Sequence, residues 1–223
     1  MNNNNQKDAS RPGEELAGKR VLVTGATGFV GSHLTRRLCE LGADTSILVR
    51  KTSDAKLVGE LEKAGARIFF GDISDQEQVN DAADGAEYIF HIAALFRQAK
   101  HPDSIYYDVN VEGTRHVINA AEKNNAERLV HCSTVGVHSH ILNPPASESE
   151  EYRPGDIYQL TKCEGEKLVQ QAIEQERLKG VVVRPAMIWG DGDKRMLKLF
   201  RGCLLYTSPS PRDATLSRMP SSA

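Results

Sequence analysis

The chain has 223 residues, 39 % of them apolar, and a formal charge of −2. That length suits one domain or one domain and part of another, and the apolar share is enough for a packed core. The charge implies no nucleic-acid partner, and no apolar run approaches the roughly 20 residues that cross a bilayer. The amino terminus has neither a basic start nor an apolar stretch, so no signal peptide is expected and the cytoplasm is the expected location. Cys39, Cys132, Cys163 and Cys203 show no CxxC spacing, which argues against a zinc site or a disulfide framework.

In chain order, residues 1–18 are polar, with an asparagine run from Asn2 to Asn5, and are expected to form a disordered leader. Arg20–Thr24 is apolar and β-branched and predicts a buried strand. In Phe29–Leu41, Val30, Leu34, Leu38 and Leu41 fall on one helix face, and Gly42 ends the helix. Strands follow at Thr45–Val49, Ala66–Phe70, Glu87–Ile92, Arg128–Cys132 and Val181–Arg184. Helices are predicted at Leu57–Lys63, Asp75–Ala83, Ser104–Asn124 and Ile157–Glu176. In the long fourth helix the predicted buried side is Ile105, Val109, Thr114, Val117, Ile118 and Ala121. Alternating strands and helices imply an α/β fold, a doubly wound parallel sheet of Rossmann-like type.

The residues after Gly202, Cys203 to Ala223, resemble a translated transposase-type sequencing adapter. That tail is therefore set aside as non-native, and the natural gene is expected to continue past Gly202 with other residues. The Rossmann domain is assigned to residues 19–202.

Two motifs carry chemistry. The first is Gly25-Ala26-Thr27-Gly28-Phe29-Val30-Gly31, a glycine turn between a strand and a helix. Gly25 permits the tight turn, Gly28 admits backbone to a phosphate and Gly31 allows close helix packing. The helix start then offers N–H groups and a positive dipole end to a pyrophosphate. An acid at the end of the second strand would select NAD, but Asp44 stands at the strand's beginning. Arg50 stands at its end, where a guanidinium pairs with a 2′-phosphate, so NADP is favoured over NAD. The second motif, Tyr158-Gln159-Leu160-Thr161-Lys162, sets a phenol and an ammonium on one helix face. The cation lowers the proton affinity of the phenol, which in water titrates near about 10.

Taken together these residues resemble the extended short-chain dehydrogenase/reductases, the NAD(P)-dependent epimerase/dehydratase group. The resemblance runs from about Lys19 to Gly202. It rests also on Gly71-Asp72-Ile73, His91-Ile92-Ala93-Ala94, Asp108 to Thr114, His131-Cys132-Ser133-Thr134 and Arg184-Pro185. It implies that Asp72 and Ile73 flank the adenine and that Ala93 and Ala94 line the cofactor cleft. Pro185 would lie near the carboxamide. Thr134, with Ser133 beside it, would hydrogen-bond the reacting oxygen, and Asn110 would be a supporting polar residue. Tyr158 would be the acid/base, and Lys162 would bind the nicotinamide ribose and tune Tyr158.

The implied function is oxidation, reduction or epimerisation of a secondary alcohol or ketone, foremost of a nucleotide sugar. The alternatives are a ketone reductase of dihydroflavonol 4-reductase or 3β-hydroxysteroid dehydrogenase type, and a non-catalytic dinucleotide-binding protein. The partner is a small-molecule substrate, with no nucleic acid and no membrane, and a homodimer stays open for the full-length protein. Departures from the family pattern are Val135-Gly136 where 4,6-dehydratases carry an acidic pair, Val137-His138-Ser139 for Val-Tyr-Gly, and Trp189-Gly190-Asp191-Gly192-Asp193 for Tyr-Gly-Pro-Gly-Asp. Most of the family's substrate-binding lobe lies beyond Arg184-Pro185 and is expected to be missing here, so the fragment itself is not expected to be competent in turnover. No metal is expected, because His131, His138 and His140 lack chelating partners. His91 is expected to pack under the cofactor, and Glu164, Glu166, Glu174 and Glu176 to form a solvated helix face.

Overall fold

The structure is a computed structural model and describes residues 13–96, 101–141, 144–193 and 200–201. The chain divides into two compact units after Ala186. Of the second, the described part includes a turn in which Asp193 N–H donates to the Gly190 carbonyl (3.1 Å). The first unit carries the sheet and both sequence motifs.

Six strands, β1 (Arg20–Thr24), β2 (Asp44–Val49), β3 (Arg67–Phe70), β4 (Tyr88–His91), β5 (Arg128–Cys132) and β6 (Gly180–Val183), form one parallel sheet in the order β3-β2-β1-β4-β5-β6. The doubly wound arrangement expected from the alternation is therefore present. Its connections reverse direction between β1 and β4, and the register aligns Thr24 with Leu48 and His91, and His91 with His131. Ligands of such sheets bind outside the carboxyl ends of the strands at that reversal.

Helices α1 (Phe29–Glu40) and α2 (Ala55–Lys63) cover one face, where Val21, Val23, Ile47, Val49, Leu38 and Leu61 form a buried core. Helices α3 (Gln76–Ala82), α4 (Asp103–Tyr107), α5 (Gly113–Lys123) and α6 (Ile157–Glu174) complete the fold. On the opposite face Leu22, Ile89 and Leu129 of the sheet meet Val79, Val117, Ile118, Val169 and Ala172. Asp54, Asp75 and Asp156 cap α2, α3 and α6 by accepting backbone N–H groups, which stops those helices where their sequences allow.

Three expectations need correction. Residues 14–18 do not behave as leader, because Glu14–Leu16 form a 3-10 turn, Leu16 packs on the α1/α2 core and Gly18 N–H donates to the Gly42 carbonyl (2.8 Å). Residues 1–12 and the tail from Cys203 lie outside the described residues. The single helix over Ser104–Asn124 is broken by a π-turn at Asp108–Glu112. The extra residue of that turn rotates what precedes it by about 100°. Tyr106, Asn110 and Val111 are therefore buried in place of Ile105 and Val109, while Thr114, Val117, Ile118 and Ala121 are buried as expected. Last, Glu166 is not on a solvated face but fully buried.

Candidate active site

The glycine turn leaves β1 at Thr24. Gly25 has φ +74, and a Cβ there would lie 2.6 Å from the Ala93 nitrogen, so only glycine lets the ends of β1 and β4 close together. A Cβ on Gly31 would lie 2.1 Å from the Gly25 carbonyl oxygen, which pins the first turn of α1 against the loop. Gly28 differs. A Cβ there would meet only the Gly25 oxygen at 3.2 Å, and the residue is exposed. Internal packing demands glycine at Gly25 and Gly31 and constrains Gly28 less; Gly28 is the N-cap of α1 and supplies no side chain to it. Such a cradle fits a phosphate group. Phe29 and Val30 follow in the first turn, half-buried.

The second strand's end lies beside this loop. Thr27 Oγ1 donates to Ser53 Oγ (3.5 Å), and Ser53 N–H closes a turn on the Arg50 carbonyl (2.9 Å). Arg50 is exposed there. Asp44 is at the strand's other end, ion-paired with Arg67 (3.1 Å). After β3, Asp72 Oδ1 accepts from Ser74 N–H (3.0 Å) and Ser74 Oγ (2.8 Å). Ile73 gives its side chain to the core, and its carbonyl accepts from His116 Nδ1 (2.9 Å). Ala93 is half-buried and Ala94 exposed at the end of β4.

A buried chain of hydrogen bonds underlies the cleft. Thr114 Oγ1 donates to the Asn110 carbonyl (2.7 Å), so His91 Nε2–H must donate to Thr114 Oγ1 (3.0 Å). Nδ1 of a neutral His91 then accepts from Thr24 Oγ1 (2.8 Å), which in turn accepts from Ala93 N–H (3.3 Å). Burial first, and the Lys162 charge second, push the pKa of His91 down to about 3, so the neutral form is the one present. The Asn110 side chain, brought inside by the π-turn, accepts from Leu95 N–H (2.8 Å) and donates to the Leu95 carbonyl (3.3 Å) and Thr161 Oγ1 (3.0 Å). It thereby ties the loop after β4 to α6. His131, opposite His91 in the sheet, is fully buried with both ring nitrogens unpartnered among the described residues.

At the end of β5, Ser133 N–H donates to the Val183 carbonyl (2.8 Å) and Val135 N–H to the Pro185 carbonyl (3.1 Å). Thr134 Oγ1 accepts from Gly136 N–H (3.1 Å) and caps a 3-10 turn, Val135–Val137, that the sequence reading missed. Tyr158 lies in the first turn of α6, half-buried, with the Phe96 ring edge-on at 4.9 Å. Lys162, one turn on, is 1 % exposed, and its Nζ donates to the Cys132 carbonyl (2.7 Å). Burial pushes its pKa down to about 8, against the upward pull of Cys132 and Glu166.

Sequence reasoning missed a polar cluster behind these groups. Glu166 accepts from Ser133 Oγ, Tyr152 OH (2.7 Å) and Arg184, whose Nη2 lies 2.6 Å away. Arg184 Nη1 also donates to the Glu148 carbonyl (2.8 Å), and His138 stacks on Tyr152 at 5.6 Å between ring centroids. Burial pushes the Glu166 carboxyl up, but the hydrogen bonds from Arg184, Ser133 and Tyr152 together hold it below its ordinary value. Among the described residues no group of histidine, cysteine and carboxylate side chains could hold a metal ion, and no helix is long and apolar enough to cross a membrane.

The glycine cradle after β1 and the Lys162 ammonium on the Cys132 carbonyl at the end of β5 thus both lie at the carboxyl ends of the strands, and residues 21–205 match the model of the NAD dependent epimerase/dehydratase family. The chain belongs to that family. Its members are NAD-dependent, and relatives with varied substrates share its sequence. "Sterol demethylase protein B" of Methylococcus capsulatus is 32 % identical over 181 residues, covering 78 % of this chain and 53 % of its own. An N-acetyl-alpha-D-glucosaminyl-diphospho-ditrans,octacis-undecaprenol 4-epimerase of Escherichia coli O157:H7 is 30 % identical over 176 residues, covering 78 % and 50 %. The solved structure of DesIV, a dTDP-glucose 4,6-dehydratase of Streptomyces venezuelae with NAD bound, superposes with a TM-score of 0.76 at 25 % identity, covering 85 % of this chain and 63 % of that one. The chain spans about half the length of these two curated relatives.

Proposed function

We propose that the site performs hydride chemistry on a secondary alcohol or ketone, with Tyr158 moving the proton at the reacting oxygen. The observation that carries the reading is the buried Lys162 ammonium, fixed on the Cys132 carbonyl one helical turn beyond Tyr158. A phenol titrates near about 10 in water, and a cation on the same helix face favours its deprotonated form. Tyr158 then exchanges a proton with the substrate oxygen, and Thr134 holds that oxygen in place. The cradle at Gly25, Gly28 and Gly31 would hold the pyrophosphate. The bound dinucleotide supplies the hydride donor or acceptor. NADP is the favoured form, with Arg50 for the 2′-phosphate and Asp44 engaged at the far end of the strand by Arg67. Asp72, Ile73, Ala93, Ala94, Ser133 and Pro185 are assigned to the remaining cofactor contacts.

For the substrate, the surroundings favour an apolar ring ketone or alcohol. Phe96, 44 % exposed, stands against Tyr158, and Val135, 42 % exposed, follows Thr134. The sterol-named relative supports this reading. A nucleotide-linked sugar is the second reading, supported by DesIV, which is named for a dTDP-linked sugar, while the 4-epimerase relative is named for a sugar on a lipid diphosphate. Val135-Gly136 gives neither an acid nor a base for the elimination of water, so a 4,6-dehydratase is not proposed.

Measured on the whole protein that contains this chain, turnover of a sterol-type ketone and of a nucleotide sugar, followed through the absorbance of the reduced nicotinamide, separates the readings. A reductase consumes the reduced cofactor in proportion to product, whereas an epimerase leaves it unchanged. Tyr158→Phe should abolish either activity and keep dinucleotide binding. Retained turnover in that variant would overturn the assignment of Tyr158.

A further inference from the structure

We infer that Glu166 is a positioning residue for Lys162 and Thr134, holding the reactive turn of α6 against the ends of β5 and β6 and supplying the negative charge that keeps the lysine an ammonium. The inference rests on the reading of Tyr158 and Lys162 as the proton-transfer pair.

Two successive turns of α6 are stitched to two successive residues of β5 and its end. Lys162 Nζ bonds the Cys132 carbonyl (2.7 Å), and Glu166, four residues on and on the same helix face, accepts from Ser133 Oγ. The residue after Ser133 is Thr134. Through Arg184 (2.6 and 2.9 Å) the same carboxylate reaches the end of β6, beside Pro185, and through Tyr152 (2.7 Å) it reaches the segment that leads into α6. One buried side chain therefore joins the pieces of backbone that carry Thr134, Tyr158, Lys162 and Pro185. Gly165 adds to the fit: a Cβ there would lie 2.4 Å from the Asn110 carbonyl oxygen, so the turn of α6 bearing Glu166 also sits against the π-turn.

The charge matters as much as the reach. The ionisable groups around Lys162 are His91 on β4, His131 and Cys132 on β5, and Tyr158 and Glu166 on α6. Burial pushes both imidazoles down and the Cys132 thiol up, so all three are neutral near pH 7. Glu166 is then the carboxylate that acts on Lys162 among the described residues. An uncompensated buried ammonium would shed its proton near neutrality.

The test is an NMR pH titration of Lys162 in protein carrying 13C at the lysine ε-carbons, with the resonance assigned by its loss in Lys162→Arg. Glu166→Gln keeps the shape of the side chain and removes its charge. The Lys162 midpoint is expected to fall by about 1 pH unit, the low end of what one nearby opposite charge supplies. Because Glu166→Gln strands the Arg184 cation, the double variant Glu166→Gln/Arg184→Gln, which leaves no orphan charge, covers the case in which the single variant does not fold. Its midpoint is expected to fall as well. An unmoved midpoint in either folded variant overturns the inference. The titration needs no substrate, so that failure would leave the Tyr158→Phe turnover test standing, and failure of the turnover test would leave the titration result intact.

Discussion

Replacing Gly31 by alanine tests whether the first turn of α1 must touch the glycine loop. The new methyl would start 2.1 Å from the Gly25 carbonyl oxygen and 2.9 Å from the Ala26 Cα, so loop and helix must part by about 1 Å. The loop cannot retreat, because Gly25 already abuts the Ala93 backbone on its other side. Overpacking of this kind costs about 2 kcal/mol or more. In a domain of this size that corresponds to a fall in Tm of about 4–8 °C. Gly59→Ala in α2 is the matched control, since nothing lies within 4 Å of its added Cβ. Removing a mid-helix glycine should stabilise by about 0.5–1 kcal/mol and raise Tm by about 1–4 °C. Thermal denaturation and calorimetric titration with NADP and NAD report on both. Gly31→Ala is expected to lose at least tenfold in dinucleotide affinity, an energy of about 1.4 kcal/mol, while Gly59→Ala keeps it. A Gly31→Ala variant with the parent's Tm and affinity would refute the claim that this contact shapes the cradle.

Other outcomes follow from the same geometry. His91 and His131 are neutral when folded and take up protons when unfolded, near about pH 6.5. The unfolded state binds more protons below that value, so stability is fully present above it and declines as pH falls, by about 1.4 kcal/mol per unit for each histidine. His131→Leu should raise stability at pH 5 and flatten the acid limb of urea midpoints measured from pH 7 to pH 5; an unchanged slope would count against a neutral buried imidazole at this position. Asn110→Ala strands the Leu95 N–H in the interior and should cost about 2 kcal/mol or more, seen as a lower Tm and faster amide exchange at Leu95. Arg50→Ala should weaken NADP binding and spare NAD, and an unaltered ratio of the two dissociation constants would remove Arg50 from the 2′-phosphate site. Val181 and Val183 stay 40 % and 47 % exposed on the terminal strand of the described sheet, so this chain should self-associate on sizing. Val181→Lys/Val183→Lys should shift it toward monomer.

What the sequence made legible, and what it hid, divides along the range of the interactions. β1 and β5 have the predicted bounds, since each is a short apolar run closed by polar or glycine residues. The glycine turn was readable because positive φ at Gly25 and close approach at Gly31 each demand a residue type. The π-turn was not readable: inserting one residue into a helix leaves the local composition unchanged, and only the shift from Ile105 and Val109 to Tyr106 and Asn110 reveals it. Glu166 was misread because its spacing with Glu164 and Glu174 looks like a polar face. Its partners Ser133, Tyr152 and Arg184 come from other elements, which no period along α6 encodes. A signal was there all the same in the fourth residue after Lys162, on the face already assigned to the site. The 3-10 turn after Thr134 was hidden for a similar reason, since Thr134 and Gly136 make it through one local side-chain bond.

The measurement that bears most directly on the central claim is a crystal structure of the chain with NADP bound. The account predicts the pyrophosphate against the backbone at Gly28, the 2′-phosphate at Arg50, and the nicotinamide ring beside Tyr158 with its ribose next to Lys162, which keeps its bond to the Cys132 carbonyl. A dinucleotide seated away from the glycine turn, or a nicotinamide that Tyr158 cannot face, would contradict it.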